Sequence, residues 1–114
     1  MTTFRFHGVS RKGYTYVLMP FPNEIAAVPL QAGNYLFAAG TPADPTPVFI
    51  DQAISIRASA MQNIDLWATA QNRHGASLFY VHVQVGVNEP MREAEKIDLV
   101  AYYHPIMNEA PSSE

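Results

Sequence analysis

Apolar and polar positions change their spacing several times along the chain, and each change marks an element. In "TFRFHGVSRKGYTYVLM" aromatic and polar residues alternate on both sides of "SRKG". That period of two around a glycine-containing loop predicts a hairpin, with strands over residues 3–8 and 13–19. "PFPNEIAAVPLQAGN" is interrupted by prolines and reads as a surface connector. "YLFAA" follows as a strand, "GTPADPTP" as a proline-rich loop and "VFI" as a short buried strand.

From Asp51 the period lengthens. Ala53, Ile54, Ile56, Ala60 and Met61 recur at mixed three- and four-residue spacing, which predicts an amphipathic helix. A second helix is expected over "IDLWATAQNRH", with Leu66, Trp67 and Ala70 inward and Gly75 as its C-cap. "SLFYVHVQV" is the clearest strand: Phe79, Val81, Val83 and Val85 face one way, and Leu78, Tyr80, His82 and Gln84 the other. After Pro90, "MREAEKIDLVAYYH" reads as a helix with Met91, Ala94, Ile97 and Ala101 on its packing face and Pro105 closing it. The order implies an α+β domain: a small, mostly antiparallel sheet with three helices packed against it, preceded by an N-terminal hairpin. A single domain is expected over residues 1–108, with 109–114 as a flexible tail.

Composition narrows the classes. With 114 residues, 48% of them hydrophobic and 15% charged, the chain suits one globular core and not a disordered segment. The absence of cysteine removes disulfides, thiol nucleophiles and cysteine-bound zinc from consideration. The longest uncharged stretch, residues 25–43, carries Pro29, Gly33, Gly40 and Pro42 and cannot form a membrane helix, and "MTTFRFHG" has no apolar core of a signal peptide. A cytoplasmic protein is expected. Seven basic against ten acidic residues give a net charge of −3, and the basic residues are scattered. A nucleic-acid binder draws affinity from a basic stripe, so nucleic acid is disfavoured as a partner.

The succession "AGNY", "PVFID", "IRAS", "LWATAQNRHGA", "FYVHV", "REAEKIDL" and "YYHPIMN" resembles the GIY-YIG nuclease superfamily from about Phe4 to Asn108. It is similar to small single-domain GIY-YIG-like proteins that open with an aromatic hairpin. The resemblance implies a tyrosine from each of two motif strands around the attacking water, an arginine on the next helix, a metal-binding glutamate on a later helix and a supporting asparagine. Phosphodiester cleavage needs such fixed positive charge where oxygen charge develops. Carried over, the first tyrosine is Tyr35 and the asparagine is Asn108. The second tyrosine position is Phe49, the motif glycine is Asp51, the arginine position is Ser59, a further histidine position is Asn63, and the glutamate position is Lys96. Asp51 puts a carboxylate where a phosphate would approach, and Lys96 puts a cation where a metal would bind. Nearby substitutes are Arg57, roughly 200° around its helix from Ser59, Arg92, and Glu93 and Glu95, about 60° and 100° from Lys96.

Other chemistry is less well supported by the residues. His7, His74, His82 and His104 lack ligand spacing, and no serine has a nucleophile-elbow context. Tyr14, Tyr16, Tyr80, Tyr102 and Tyr103 suit packing better than a stacking platform for bases. "REAEKID" reads as a solvated helix face with a Glu93–Lys96 pair. The resulting expectation is a catalytically degenerate GIY-YIG-like protein, without a required cofactor, that binds a protein partner, in the setting of a phage or mobile-element inhibitor of a host factor. The alternatives are a weak endonuclease dependent on Mg²⁺ or Mn²⁺, with Glu93 as its metal ligand, and nucleic-acid binding without cleavage.

Overall fold

A computed structural model describes residues 2–10, 13–19 and 27–108. The α+β expectation holds. Five strands, β1 (Thr3–Phe6), β2 (Tyr14–Met19), β3 (Gly33–Thr41), β4 (Asp44–Ala53) and β5 (Leu78–Val83), form one antiparallel sheet in the order β1-β2-β5-β3-β4. The helices are α1 (Ile56–Gln62), α2 (Ile64–His74) and α3 (Glu89–Tyr103). None of the described helices is long and apolar enough to cross a membrane.

The sheet is covered on both faces, which is why β3 is buried residue after residue instead of alternating. On one face Tyr35, Phe37, Phe49, Phe79 and Val81 meet Ile56 and Ala60 of α1 and Trp67 and Ala70 of α2. On the other, Phe6, Tyr16, Leu36, Ile50 and Tyr80 meet Leu99 of α3. Trp67 is core, its ring 4.9 Å from that of Phe37. Gly75 takes a left-handed conformation at φ 70° and ends α2 as expected. Gly33 lies where the β5 backbone leaves no room for a side chain, since a Cβ there would collide with the His82 carbonyl oxygen. The segment 109–114, the hairpin residues Arg11 and Lys12, and residues 20–26 of the proline-rich connector lie outside the described residues; further along the connector Val28 is buried in the core and Gly33 and Asn34 begin β3.

Three expectations need correction. The proline-rich "GTPADPTP" is not a loop: Gly40 and Thr41 belong to β3, Asp44–Pro47 belong to β4, and only Pro42 and Ala43 turn between them. Pro45 and Pro47 are tolerated because β4 is the last strand of the sheet, where a missing N–H need not break a ladder. A register shift beside Phe37/Ala38 pairs Ala38 with Pro47 and leaves Val48 as the extra residue. Second, the helix does not begin at Asp51. Strand β4 runs to Ala53, and Ser55 caps α1 by accepting a hydrogen bond from the Ala58 N–H. Of the predicted helix face Ile56 and Ala60 are buried, while Ile54 and Met61 are exposed.

The third correction concerns α3, whose predicted packing face points to solvent. Met91, Ala94, Ile97 and Ala101 are exposed; the buried residues are Arg92, Glu95, Asp98 and Leu99. The strands beneath explain the rotation. Tyr14 and Tyr16 of β2, and His82 and Gln84 at the end of β5, offer hydrogen-bonding groups on that side of the sheet, and a helix sets its polar side against them.

Candidate functional site

Strands β3 and β4 pair Tyr35 with Asp51 and Phe37 with Phe49. The turn into α1 then carries Ser59 back over Tyr35. The Tyr35 ring is fully buried, its hydroxyl 2.8 Å from Ser59 Oγ and 2.9 Å from Asn63 Nδ2, which donates to it. Phe49 lies beside it with ring centroids 6.4 Å apart. Burial pushes the Tyr35 hydroxyl above the ordinary tyrosine pKa; the hydrogen bonds from Ser59 and Asn63 pull it down, and the Asp51 charge pushes it up again. Three positions singled out in the sequence, Tyr35, Ser59 and Asn63, thus close on one another and leave the tyrosine oxygen no open side.

Asp51 sits at the rim of this cluster and pairs with Lys96 at 3.3 Å, and Lys96 also reaches Glu93 at 3.8 Å. The predicted Glu93–Lys96 pair is present, one turn apart on α3. Asn108 serves the backbone: its Oδ1 accepts from the Ile50 N–H at 2.7 Å and its Nδ2 donates to the Ile50 carbonyl at 2.8 Å. Together with the Met107 N–H on the Val48 carbonyl, it covers the outer edge of β4.

The proposed substitutes turn elsewhere. Arg57 Nε donates to the Val28 carbonyl at 2.8 Å, on the connector side of α1. Arg92 is buried, with Nε on Gln52 Oε1 and a terminal guanidinium nitrogen on the Val87 carbonyl. Glu95 points under α3, away from Lys96. Among the described residues no group of three or more histidine and carboxylate side chains is arranged to hold a metal ion. With Lys96 between Asp51 and Glu93, this end of the sheet has one cation held by two carboxylates and does not fit the Mg²⁺ or Mn²⁺ site that the resemblance implies.

A second polar cluster went unseen in the sequence, because "REAEKID" was expected to be solvated. Glu95 is buried and accepts from the Tyr16 hydroxyl at 2.6 Å and from Gln84 Nε2 at 3.0 Å, and His82 Nδ1 lies 2.8 Å from it. Next to it Asp98 accepts from the Tyr14 hydroxyl and the Ser10 N–H, both at 2.7 Å. Burial, and then the Glu95 charge, push Tyr16 well above the usual tyrosine range. Asp98 is pulled the other way: burial raises its carboxyl, but hydrogen bonds from Ser10, Tyr14 and Val9 outweigh that and hold it below the usual value. The signal available in the sequence was the i, i+3 run Arg92, Glu95, Asp98 set against the same-side residues Tyr80, His82 and Gln84. His7, His74, His82 and His104 remain on separate elements, as their spacing implied.

Comparison with protein-family models, with curated proteins and with solved structures finds no match.

Proposed function

We propose that the protein is a non-catalytic binding module on a GIY-YIG-like scaffold, and that it binds a protein partner through the outer side of α3. The observation that carries this reading is the rotation of that helix. Met91 and Ile97 stand 61% and 58% exposed, flanked by Ala94, Ala101 and Tyr102, while three charged residues of the same helix are buried. A helix that directs its apolar ridge outward exposes the kind of patch that protein interfaces cover. Against cleavage stand the buried Tyr35, whose hydroxyl is held by Ser59 and Asn63, and Lys96, held by Asp51 and Glu93. A phosphate would find neither an open nucleophile nor a free cation there.

Two measurements test the reading. Purified protein incubated with supercoiled DNA and with RNA in Mg²⁺ or Mn²⁺ is expected to leave both intact; cleavage that Tyr35→Phe and Glu93→Ala abolish would restore the nuclease. Affinity capture with folded wild-type bait is expected to retain a protein that Ile97→Asp bait releases. Equal capture by both baits would remove α3 from the interface.

A further inference from the structure

A cleft of about 510 Å³ opens between the end of β5 and the first turns of α3, within the size range of small-ligand sites. Val83, Val85, Met91 and Ala94 form apolar walls, Ser10 and Tyr14 add polar groups beside them, and His82, Gln84 and Glu95 form a polar floor. We propose that this cleft binds an alkylammonium group: an apolar stem lying along the walls, with a cationic amine directed at His82 and Glu95. This proposal does not rest on the partner-binding reading, although Met91 and Ala94 belong to both surfaces.

The hydrogen-bonding valences still open in the cleft select the ligand. A carboxylate offers about four acceptor sites. Glu95 Oε2 receives the Tyr16 hydroxyl and faces His82 Nδ1, whereas Oε1 receives only Gln84 Nε2. A neutral imidazole that donates Nδ1–H to Glu95 must carry its lone pair on Nε2. Among the described residues that nitrogen has no partner, and the His82 side chain is 31% exposed. Behind Gln84, the buried Asn34 Oδ1 also lacks a donor. Around the floor the unfilled acceptors, on His82 Nε2, Glu95 and Asn34, outnumber the one unfilled donor, the second N–H of Gln84 Nε2.

Charge points the same way. Glu95 is buried and accepts from the neutral donors Tyr16 and Gln84, Asp98 lies one turn further along α3, and no lysine or arginine is among the described residues lining the cleft. A buried carboxylate without a fixed cation favours an incoming one. The apolar walls would cover part of a stem of five or six carbons, and the burial of Glu95 would strengthen the ion pair at its end.

The test is a titration at about pH 8, where free imidazole is neutral, with hexylammonium as probe and hexanoate as its charge-reversed counterpart, read by ¹⁵N-resolved NMR. Hexylammonium is expected to give saturable shifts at the His82 ring and at backbone amides of residues 83–87, with a dissociation constant on the order of 1 mM, as so small a ligand allows. Hexanoate is expected to bind at least about tenfold more weakly. Glu95→Gln is expected to weaken hexylammonium about tenfold. Because Glu95 is buried, its melting curve is measured alongside, and Ala94→Phe, at an exposed wall position, decides the matter if that variant fails to fold. Ala94→Phe is expected to fill the cleft and abolish the shifts while leaving the melting temperature in place. An acetylated pentapeptide with a central lysine separates two sources: tighter binding than hexylammonium assigns the site to a protein's lysine side chain, and weaker binding assigns it to a free amine. Shifts that do not saturate, that map elsewhere, that are as strong with hexanoate, or that persist in Ala94→Phe would overturn the proposal.

Discussion

At the scale of single residues, the Tyr35 hydroxyl accepts from Asn63 and shares a hydrogen with Ser59. Removing it strips two side chains of a partner, so Tyr35→Phe should destabilise the protein by about 1–2 kcal/mol, measured by urea unfolding. If Tyr35 served only a reaction, stability would be unchanged. Asp98 makes a pH prediction. Its folded pKa lies below the ordinary aspartate value, so below about pH 4 the unfolded chain takes up the proton first. The stability from this group is present above that value and is lost as pH falls through the folded one. Thermal melts across the acid range should show a steeper loss in the wild type than in Asp98→Asn. Tyr16 acts at the other end: its raised pKa contributes stability that is present below about pH 10 and is lost as pH rises from there.

At the scale of elements, helix α3 shows how far a hydrophobic pattern can mislead. Its residues divide into an apolar ridge, Met91, Ala94, Ile97 and Ala101, and a ridge of Arg92, Glu95, Asp98 and Leu99. Packing rules based on the helix alone select the first, yet the sheet beneath supplies hydrogen-bond partners for the second. The rotation has a measurable consequence. Ile97→Asp should change stability by no more than about 0.5 kcal/mol, as an exposed substitution does. Leu99→Ala, which hollows the core under the same helix, should cost roughly 2–5 kcal/mol. Equilibrium unfolding of the two variants checks the rotation directly, because the sequence-based face predicts the reverse order.

Across the described residues, one sheet joins two cores, and β4 forms one of its two edges. That edge is covered by the segment following α3, through Met107 and both polar atoms of Asn108. Asn108→Ala should therefore cost about 1–3 kcal/mol for the two buried backbone groups it leaves unpaired, and should raise aggregation through the exposed strand, followed by light scattering on heating. Asn108 was singled out in the sequence as a site residue; its contacts show it closing the edge of the sheet.

The sequence alone determined the kinds of elements and many of their limits. Period-two stretches became β1, β2 and β5, Gly75 ended α2 and Trp67 entered the core, because these depend on local spacing and chain direction. Other features depended on neighbours distant in the chain. Pro45 and Pro47 could join a strand only because that strand lies at an edge, which the order of the sheet decides. Glu95 could be buried only because Tyr16 and Gln84, 79 and 11 residues away, bring donors to it. Hydrophobic periodicity records which side of an element avoids water on average. It holds no information about polar groups waiting on another strand, and those groups turned α3, buried its charges and left its apolar ridge facing outward.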